Sequence, residues 1–200
     1  MLKRKKFIIF LIIILLLIVA GGVFWWWQKR EIKGSPEDYV IKETTEGKFV
    51  ENKKAGLTAR VPEGWTSQII EFQGISVAIE SPDIEGERRY DITKPPFKKG
   101  CGIEITVAYE KTNFNELTKI IKEINTESGV EPSELEIITI NNRQCLKNTF
   151  ESSVIGPSMT VYFIQDAKIF GFALRMAPNE KERCIQEFNK FLETVSINPS

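Results

Sequence analysis

Histidine is absent from the 200-residue chain. Its absence excludes Ser-His-Asp and Cys-His nucleophilic sites, histidine general acid–base catalysis, and zinc or iron held by imidazole. The sequence also contains no GxSxG elbow, no P-loop and no GxGxxG motif. We therefore predict a protein that is not an enzyme, and we assign no catalytic residue, no cofactor and no metal ligand.

The acidic residues of the segment 81–99 are the first exception to consider. Asp83, Glu85 and Glu87 alternate there, and Glu104 follows near a predicted strand end. These carboxylates are the candidates for an extracytoplasmic enzyme that works without histidine. Their alternation also loosely resembles a set of oxygen ligands for calcium, but the EF-hand order is missing and two arginines follow directly. The pattern favours a solvated charged loop.

The same segment offers a candidate partner contact. Arg88, Arg89 and Tyr90 stand together and precede a Pro-Pro-Phe sequence at 95–97. Arginine and tyrosine are enriched at the centres of protein interfaces. The three residues are therefore a candidate contact for a protein partner, as the alternative to a solvated charged loop.

Three cysteines, Cys101, Cys145 and Cys184, occur without CxxC spacing. Cys101 shares the phase of a predicted strand, and Cys184 lies on the apolar face of a predicted helix. The pattern therefore favours buried thiols that act as small hydrophobic residues. A disulfide between two of the three is the next interpretation, and a reactive or metal-bound thiol the last. The sequence does not choose among the three pairings.

Period-two alternation of apolar residues predicts strands on both sides of these positions. The turn 62–64, Pro-Glu-Gly, precedes Trp65, which we interpret as a core residue because burial of its ring suffices to explain it. After a two-residue turn at Asn141-Asn142, a meander has breaks at 156–157 and 165–166. The predicted strands are 57–61, 75–79, 103–107, 135–140, 143–151, 158–164 and 168–176.

Two segments change to the helical period. The segment 113–128 begins with a capping box of Asn113 and Glu116, and the segment 180–195 with one of Asn179 and Glu182. An antiparallel sheet flanked by two amphipathic helices is an α+β layered domain.

The N-terminus predicts a membrane anchor. Residues 7–27 form a run of 21 residues without a charge, enough for a helix of about 31 Å. Residues 1–6 carry four basic residues, and three tryptophans close the run, so we expect the N-terminus in the cytoplasm. A cleaved signal peptide, with small residues at 19–21, is the rival interpretation. Residues 28–47 are polar and predict a linker, and 48–200 an extracytoplasmic domain.

The order of elements resembles the PsbP-like family. The features that carry this resemblance are the segment 56–65 (GLTARVPEGW), the mid-chain helix, the Leu135–Phe150 hairpin, and the closing helix with Phe188 and Phe191. The resemblance covers about residues 48–197. It implies an α+β fold in a membrane-anchored bacterial protein but no single activity, since relatives include assembly factors, photosystem subunits and a nuclear-transport regulator that binds a small GTPase. No site residue is carried over.

The net charge of the chain beyond the predicted anchor argues against one class of function, nucleic-acid binding. Four of the 27 basic residues precede residue 28, which leaves 23 basic and 27 acidic residues beyond it, a net charge of −4. Nucleic-acid binding needs a basic surface, so we do not expect it. We predict a membrane-tethered extracytoplasmic binding or assembly module with an envelope protein as partner. A structural envelope protein is the alternative, and a carboxylate-based enzyme the third hypothesis.

Overall fold

The computed structural model describes residues 38–71, 74–86, 97–127, 134–152 and 156–198. All of them fall in one compact unit, Gly34–Ser200. The predicted anchor, 7–27, lies outside the described residues, as does the basic tail before it. Within the described ranges, neither helix combines the length and the apolar character that crossing a bilayer requires.

The described strands form two antiparallel sheets rather than the one sheet predicted. The smaller sheet has the order β1-β2-β3-β11. Its strands are β1 (Tyr39–Thr44), β2 (Gly47–Asn52), β3 (Leu57–Arg60) and β11 (Ser196–Ile197).

The larger sheet has seven strands in the order β4-β5-β6-β10-β9-β8-β7. These are β4 (Thr66–Glu71), β5 (Ile75–Glu80), β6 (Cys101–Ala108), β7 (Glu134–Ile140), β8 (Arg143–Ser152), β9 (Gly156–Gln165) and β10 (Lys168–Met176). The last four form the predicted meander. Its first turn, Asn141-Asn142, has φ of 50° and 61°, as a two-residue hairpin of this type requires.

Two helices accompany the sheets in the described ranges, α1 (Phe114–Glu127) and α2 (Lys181–Glu193). The Asn113 half of the capping box predicted for α1 is confirmed, because its Oδ1 accepts the backbone N–H groups of Asn115 and Glu116, both at 3.0 Å. The carboxylate of Glu116 instead accepts from the hydroxyl of Thr112 at 3.3 Å. The capping box predicted for α2 is wrong. Residues Pro178–Glu180 form a 3-10 turn, and Glu180 at the N-cap makes no side-chain cap bond.

The helices cover opposite faces of the larger sheet. Leu146 of β8 belongs to a small cluster with Leu117 and Ile121 of α1, whereas the adjacent Cys145 belongs to the main core with Phe188 of α2. Successive strand residues point to opposite faces, so the two clusters lie on either side of the sheet. This layering of two helices and two antiparallel sheets confirms the α+β class.

Several boundaries differ from the sequence prediction, most clearly at the linker and at two turns. The predicted linker 28–47 ends too late, because Tyr39–Thr44 pairs with β2 along its whole length. Gly156-Pro157 begins β9 instead of interrupting the chain, a position where the missing proline donor is tolerated. The next turn lies one residue later than predicted, at Asp166-Ala167, where both φ angles are positive.

Candidate functional site: a cleft beside Arg60 and Trp65

A cleft of about 920 Å³ opens where three segments meet. The first is the β1–β2 turn, residues 43–48. The second connects β3 to β4, residues 60–66, and the third is the last part of α2 with its C-cap, residues 187–194. The three segments come from distant parts of the sequence, and each is fixed to the next by specific hydrogen bonds.

The β1–β2 turn is closed by Thr44. Its hydroxyl donates to the carbonyl of Gly47 at 3.0 Å and accepts the N–H of Glu46 at 3.2 Å. Gly47 has a φ of 127°, and a Cβ there would lie 3.1 Å from Nε of Arg60. Glycine at this position therefore lets the guanidinium of Arg60 lie against the turn.

The β3–β4 connection supplies an apolar floor. Val61 donates its N–H to the carbonyl of Lys48 at 2.8 Å, which fixes this segment to the first one, and Trp65 donates to Pro62 at 3.1 Å. Val61, Trp65 and Phe191 are exposed by only 3%, 8% and 1%. These three side chains are packed into the main core and form the buried base of the cleft.

Thr194 joins the end of α2 to the end of β3. The hydroxyl of Thr194 accepts the N–H of Arg60 at 3.1 Å. It donates to the carbonyl of Phe191 at 2.7 Å, which satisfies a carbonyl in the last turn of the helix. The backbone of Arg60 is therefore held on the α2 side of the cleft and its side chain on the turn side.

Charged side chains form the rim of the cleft. Lys48 pairs with Glu43 at 3.2 Å, and Lys190 pairs with Glu187 at 2.9 Å. Arg60 forms no ion pair with a carboxylate in the described ranges. A guanidinium in this situation keeps its planar set of donors available for a carboxylate or carbonyl of a ligand.

The carboxylates singled out in the sequence are not assembled into one site. Asp83 pairs with Arg183 of α2 at 3.1 Å, and Glu104 pairs with Arg175 of β10 at 3.5 Å. The neighbours of Glu104 along β6 point into the main core, so Glu104 points to the sheet face opposite α2. Asp83 and Glu104 are thus held by different arginines on different faces.

The other two acidic candidates, Glu85 and Glu87, are not shown to form a metal site. The side chain of Glu85 is exposed, and Glu87 lies outside the described residues. Within the described ranges, no group of three or more acidic or cysteine side chains is placed to hold a metal ion.

The charge of Asp83 is stabilised locally. A hydrogen bond from Ser81 and then the charge of Arg183 lower the pKa of Asp83. Arg183 also contacts Glu180 at 2.8 Å, and the Gly100 N–H that donates to Glu180 at 2.5 Å is the main cause that lowers the pKa of that carboxyl. These groups fix the start of α2 to the loop before β6, so their role is structural.

A disulfide joins Cys101 at the start of β6 to Cys184 in the first turn of α2. The Cα atoms are 5.5 Å apart, and 83 positions separate the two residues. The favoured expectation of three free thiols is therefore wrong for two of them. Cys145 is the free cysteine, and burial raises the pKa of its thiol to about 11, which makes it unreactive. The residue periodicity of the strand and of the helix correctly predicted that Cys101 and Cys184 are buried. It did not predict that β6 and α2 lie next to each other.

The predicted partner contact, Arg88, Arg89 and Tyr90, lies outside the described residues and stays a prediction. The chain on either side of it is described. Glu85 donates its N–H to the carbonyl of Lys99 at 3.0 Å, and Lys98 donates to the carbonyl of Glu85 at 2.9 Å. Glu85 and Lys99 therefore pair in an isolated antiparallel bridge between β5 and β6.

Sequence reasoning missed the cleft. It treated Trp65 as a core residue, which agrees with its burial, and it included Arg60 only as a member of the predicted strand 57–61. The local sequence features that relate to the cleft are two turns. Glu46-Gly47 follows β1, and Pro-Glu-Gly at 62–64 follows β3. Their meeting with α2 depends on the fold and not on any local pattern.

No protein-family model and no curated protein matches the chain. Among solved structures, the chain is similar to the cyanobacterial PsbP protein CyanoP from Synechocystis sp. PCC 6803, with 12% identity and a TM-score of 0.48. That likeness covers 82% of this chain and 95% of CyanoP.

Two further solved structures are similar to the chain. One is from Bacteroides thetaiotaomicron, with 13% identity, a TM-score of 0.43 and coverage of 72% of this chain; this chain spans about half, 46%, of that protein. The other is a protein of unknown function from Pseudomonas aeruginosa, with 12% identity, a TM-score of 0.42, and coverage of 81% of this chain and 99% of that one. All three TM-scores are below 0.5, so the function proposed below rests on this chain's own residues.

Proposed function

We propose that this chain is a membrane-tethered extracytoplasmic binding module of the PsbP-like type, without catalytic activity, and that the cleft beside Arg60 binds a segment of an envelope protein. The observation that carries the proposal is the cleft itself, in which the guanidinium of Arg60, without an ion pair among the described residues, lies beside an apolar floor. Interface anchors combine these two features, because an apolar side chain supplies the burial and arginine supplies directional hydrogen bonds.

The partner segment has a definable chemistry. An apolar side chain would lie over the floor of Val61, Trp65 and Phe191, and a carboxylate or a backbone carbonyl would accept from Arg60. The paired charges on the rim contribute little to affinity, since exposed ion pairs are each worth about 0–1 kcal/mol. They would instead favour one orientation of the segment over another.

The disulfide supports the proposed location. Disulfides persist in oxidising compartments outside the cytoplasm and are rare inside it. The bond between Cys101 and Cys184 therefore agrees with a domain on the outer side of the membrane, anchored by residues 7–27 with the N-terminus in the cytoplasm. Protease should be added to cells in which the membrane that holds the anchor is intact and any layer outside it has been permeabilised. The protease should digest the domain, and protection of the domain would contradict this topology.

Photo-cross-linking in living cells tests the binding proposal. A photoreactive amino acid at position 63, on the exposed rim of the cleft, should form a protein adduct of defined mass. Position 119, exposed on α1 on the opposite face of the larger sheet, is the matched control and should not form that adduct. Equal labelling at both positions, or no adduct at position 63, would contradict a binding role for the cleft.

A further inference from the structure

The larger sheet ends in a strand whose outer edge is open. Among the described strands, β7 pairs with β8 only, and this pairing runs from Glu134 to Ile140 without a bulge. The other end of the sheet differs, because β4 lies beside β1 of the smaller sheet. β7 contains neither proline nor lysine, and proline, lysine and bulges are common means of keeping an edge strand from pairing with another chain.

The hairpin to β8 fixes which backbone groups of β7 face outward. Ile140 and Arg143 flank the two-residue turn, so they exchange both hydrogen bonds with each other. The direction of the backbone groups then alternates along the strand. Leu135, Ile137 and Thr139 therefore direct their N–H and C=O groups away from β8, to the open edge.

The open edge carries exposed apolar side chains on one side of the sheet. Ile137 is 59% exposed, the highest value for a large hydrophobic residue in the described ranges. It stands opposite Leu146, which packs against α1, so Ile137 lies on the α1 side. Ile120 and Ile124 belong to the helix on that side and are also exposed. Exposed apolar residues beside an unpaired strand edge indicate a surface that another chain covers.

The sequence of β7 is complementary to itself. In an antiparallel pair of two β7 strands centred on Ile137, the two Ile137 side chains meet, and Leu135 of one copy stands opposite Thr139 of the other. These are the residues whose backbone groups face the open edge. Each such pair therefore exchanges both of its hydrogen bonds.

The charged residues of β7 fit the same register. Glu134 stands opposite Ile140 of the second copy and Glu136 opposite Ile138, so no two carboxylates face each other directly. A pair centred on Glu136 would bring the two copies of that carboxylate together. In the register centred on Ile137, Lys147 at 3.3 Å balances the charge of Glu136 in each copy.

We infer that two copies of this chain associate through β7, as a two-fold dimer in which the larger sheet continues from one copy into the other. Such a contact uses the same surface of both chains, so it closes at two copies. The dimer goes beyond the proposed binding role and does not depend on it. Asn141, in the turn after β7, donates to the carbonyl of Glu193 at the end of α2 at 3.1 Å. The dimer therefore sets the positions of its two clefts relative to each other.

Cross-linking between copies tests the inference. In cells that express the full chain with Ile137→Cys, a short thiol cross-linker should give a product of twice the mass of the chain, because the two thiols meet at the dimer axis. Ile69→Cys is the matched control, since Ile69 is an exposed isoleucine on the opposite edge strand, β4. It should give at least about tenfold less of this product, because its thiols meet only by random collision.

The unaltered chain provides the background, since its free cysteine, Cys145, is buried. Equal yields from Ile137→Cys and Ile69→Cys, or no product from Ile137→Cys, would overturn the inference. A product of another mass in place of the dimer would show that a different protein covers β7, and would overturn it too.

A charge at the dimer axis provides a second test, without a cross-linker. Ile137→Lys places two lysines opposite each other and should convert the dimer to a monomer, as measured by light scattering on the purified full-length chain. Ile69→Lys should leave the dimer intact. Because both side chains are exposed, both variants should keep the circular dichroism spectrum of the unaltered protein. A monomer before any substitution, or a folded Ile137→Lys variant that stays a dimer, would contradict association through β7.

Discussion

The two helices have similar sequence patterns but are held to the sheet in very different ways. α2 is joined to β6 by the Cys101–Cys184 disulfide and to β3 through Thr194. Its Phe188 and Phe191 are fully buried, with ring centroids 6.3 Å apart. It also supplies one wall of the cleft.

α1 is held by fewer contacts. Its apolar contacts centre on a small cluster in which Leu117 and Ile121 meet Leu146. Phe114 of α1 and four partly buried sheet residues pack around this cluster. Ile120 and Ile124 on the same helix are exposed by 39% and 54%. The comparison teaches that the α2 side is the rigid part of the molecule and that α1 is the element more easily displaced.

Core truncation should give the largest effect. Phe188→Ala removes a fully buried ring and should lower the free energy of unfolding by about 3–5 kcal/mol. Leu117→Ala on α1 removes a side chain from a smaller cluster and should cost about 2–3 kcal/mol, at the low end for leucine. Chemical denaturation of both variants measures the difference, and an equal or larger cost for Leu117→Ala would contradict the comparison.

Loss of the disulfide should be nearly as severe. The double variant Cys101→Ala/Cys184→Ala should lower the free energy of unfolding by about 2–5 kcal/mol, because the bond closes a long loop in the unfolded chain. Unfolding with reductant present provides the control, since the two proteins should then become similar. A double variant as stable as the oxidised protein would show that other contacts alone hold α2.

The N-cap of α1 should have a smaller effect. Asn113→Ala removes an oxygen that accepts two backbone N–H groups and should cost about 1 kcal/mol. Hydrogen exchange should show faster exchange along α1 while α2 stays protected. Faster exchange in both helices to the same extent would mean that they unfold as one unit.

Protonation at the start of α2 should give the smallest effect. The pKa values of Asp83 and Glu180 are lowered in the folded state, so their contribution is complete above the unfolded pKa values of about 4. It should be lost as the pH falls through the lower folded values. Asp83→Asn should therefore be less stable than the unaltered protein at pH 7 and converge with it in acid, as measured by denaturation at each pH. A constant difference across this range would contradict the assigned cause.

Much of the larger sheet could be predicted from the sequence because its signals are local. Alternating residues such as Ile103 and Ile105, the Asn141-Asn142 turn and the Asn113 cap depend only on near neighbours. β1 was not predicted, because its apolar residues Tyr39, Val40 and Ile41 are consecutive and do not alternate with polar ones. The segment is recognised as a strand by its pairing with β2.

The candidate site could not be predicted for a related reason. Arg60 and Thr194 are 134 positions apart and meet only in the fold. The Cys101–Cys184 pairing is likewise set by where α2 crosses the sheet, although each cysteine was correctly placed on a buried face. The predicted box of Asn179 and Glu182 is not formed, because the N-cap of α2 is Glu180. The carboxylate of Glu180 accepts from Gly100 and pairs with Arg183, and it does not cap the helix.

The central claim is that the rigid α2 side of the domain carries a binding cleft, and charge reversal of its guanidinium tests this most directly. Cells with the photoreactive residue at position 63 should be compared with and without Arg60→Glu, and with Lys119→Glu on α1 as a charge-matched control. Arg60→Glu should reduce the yield of the specific adduct by at least about tenfold, the equivalent of 1.4 kcal/mol, whereas Lys119→Glu should leave it unchanged. An adduct that survives Arg60→Glu at full yield, in a domain that remains folded, would contradict the account.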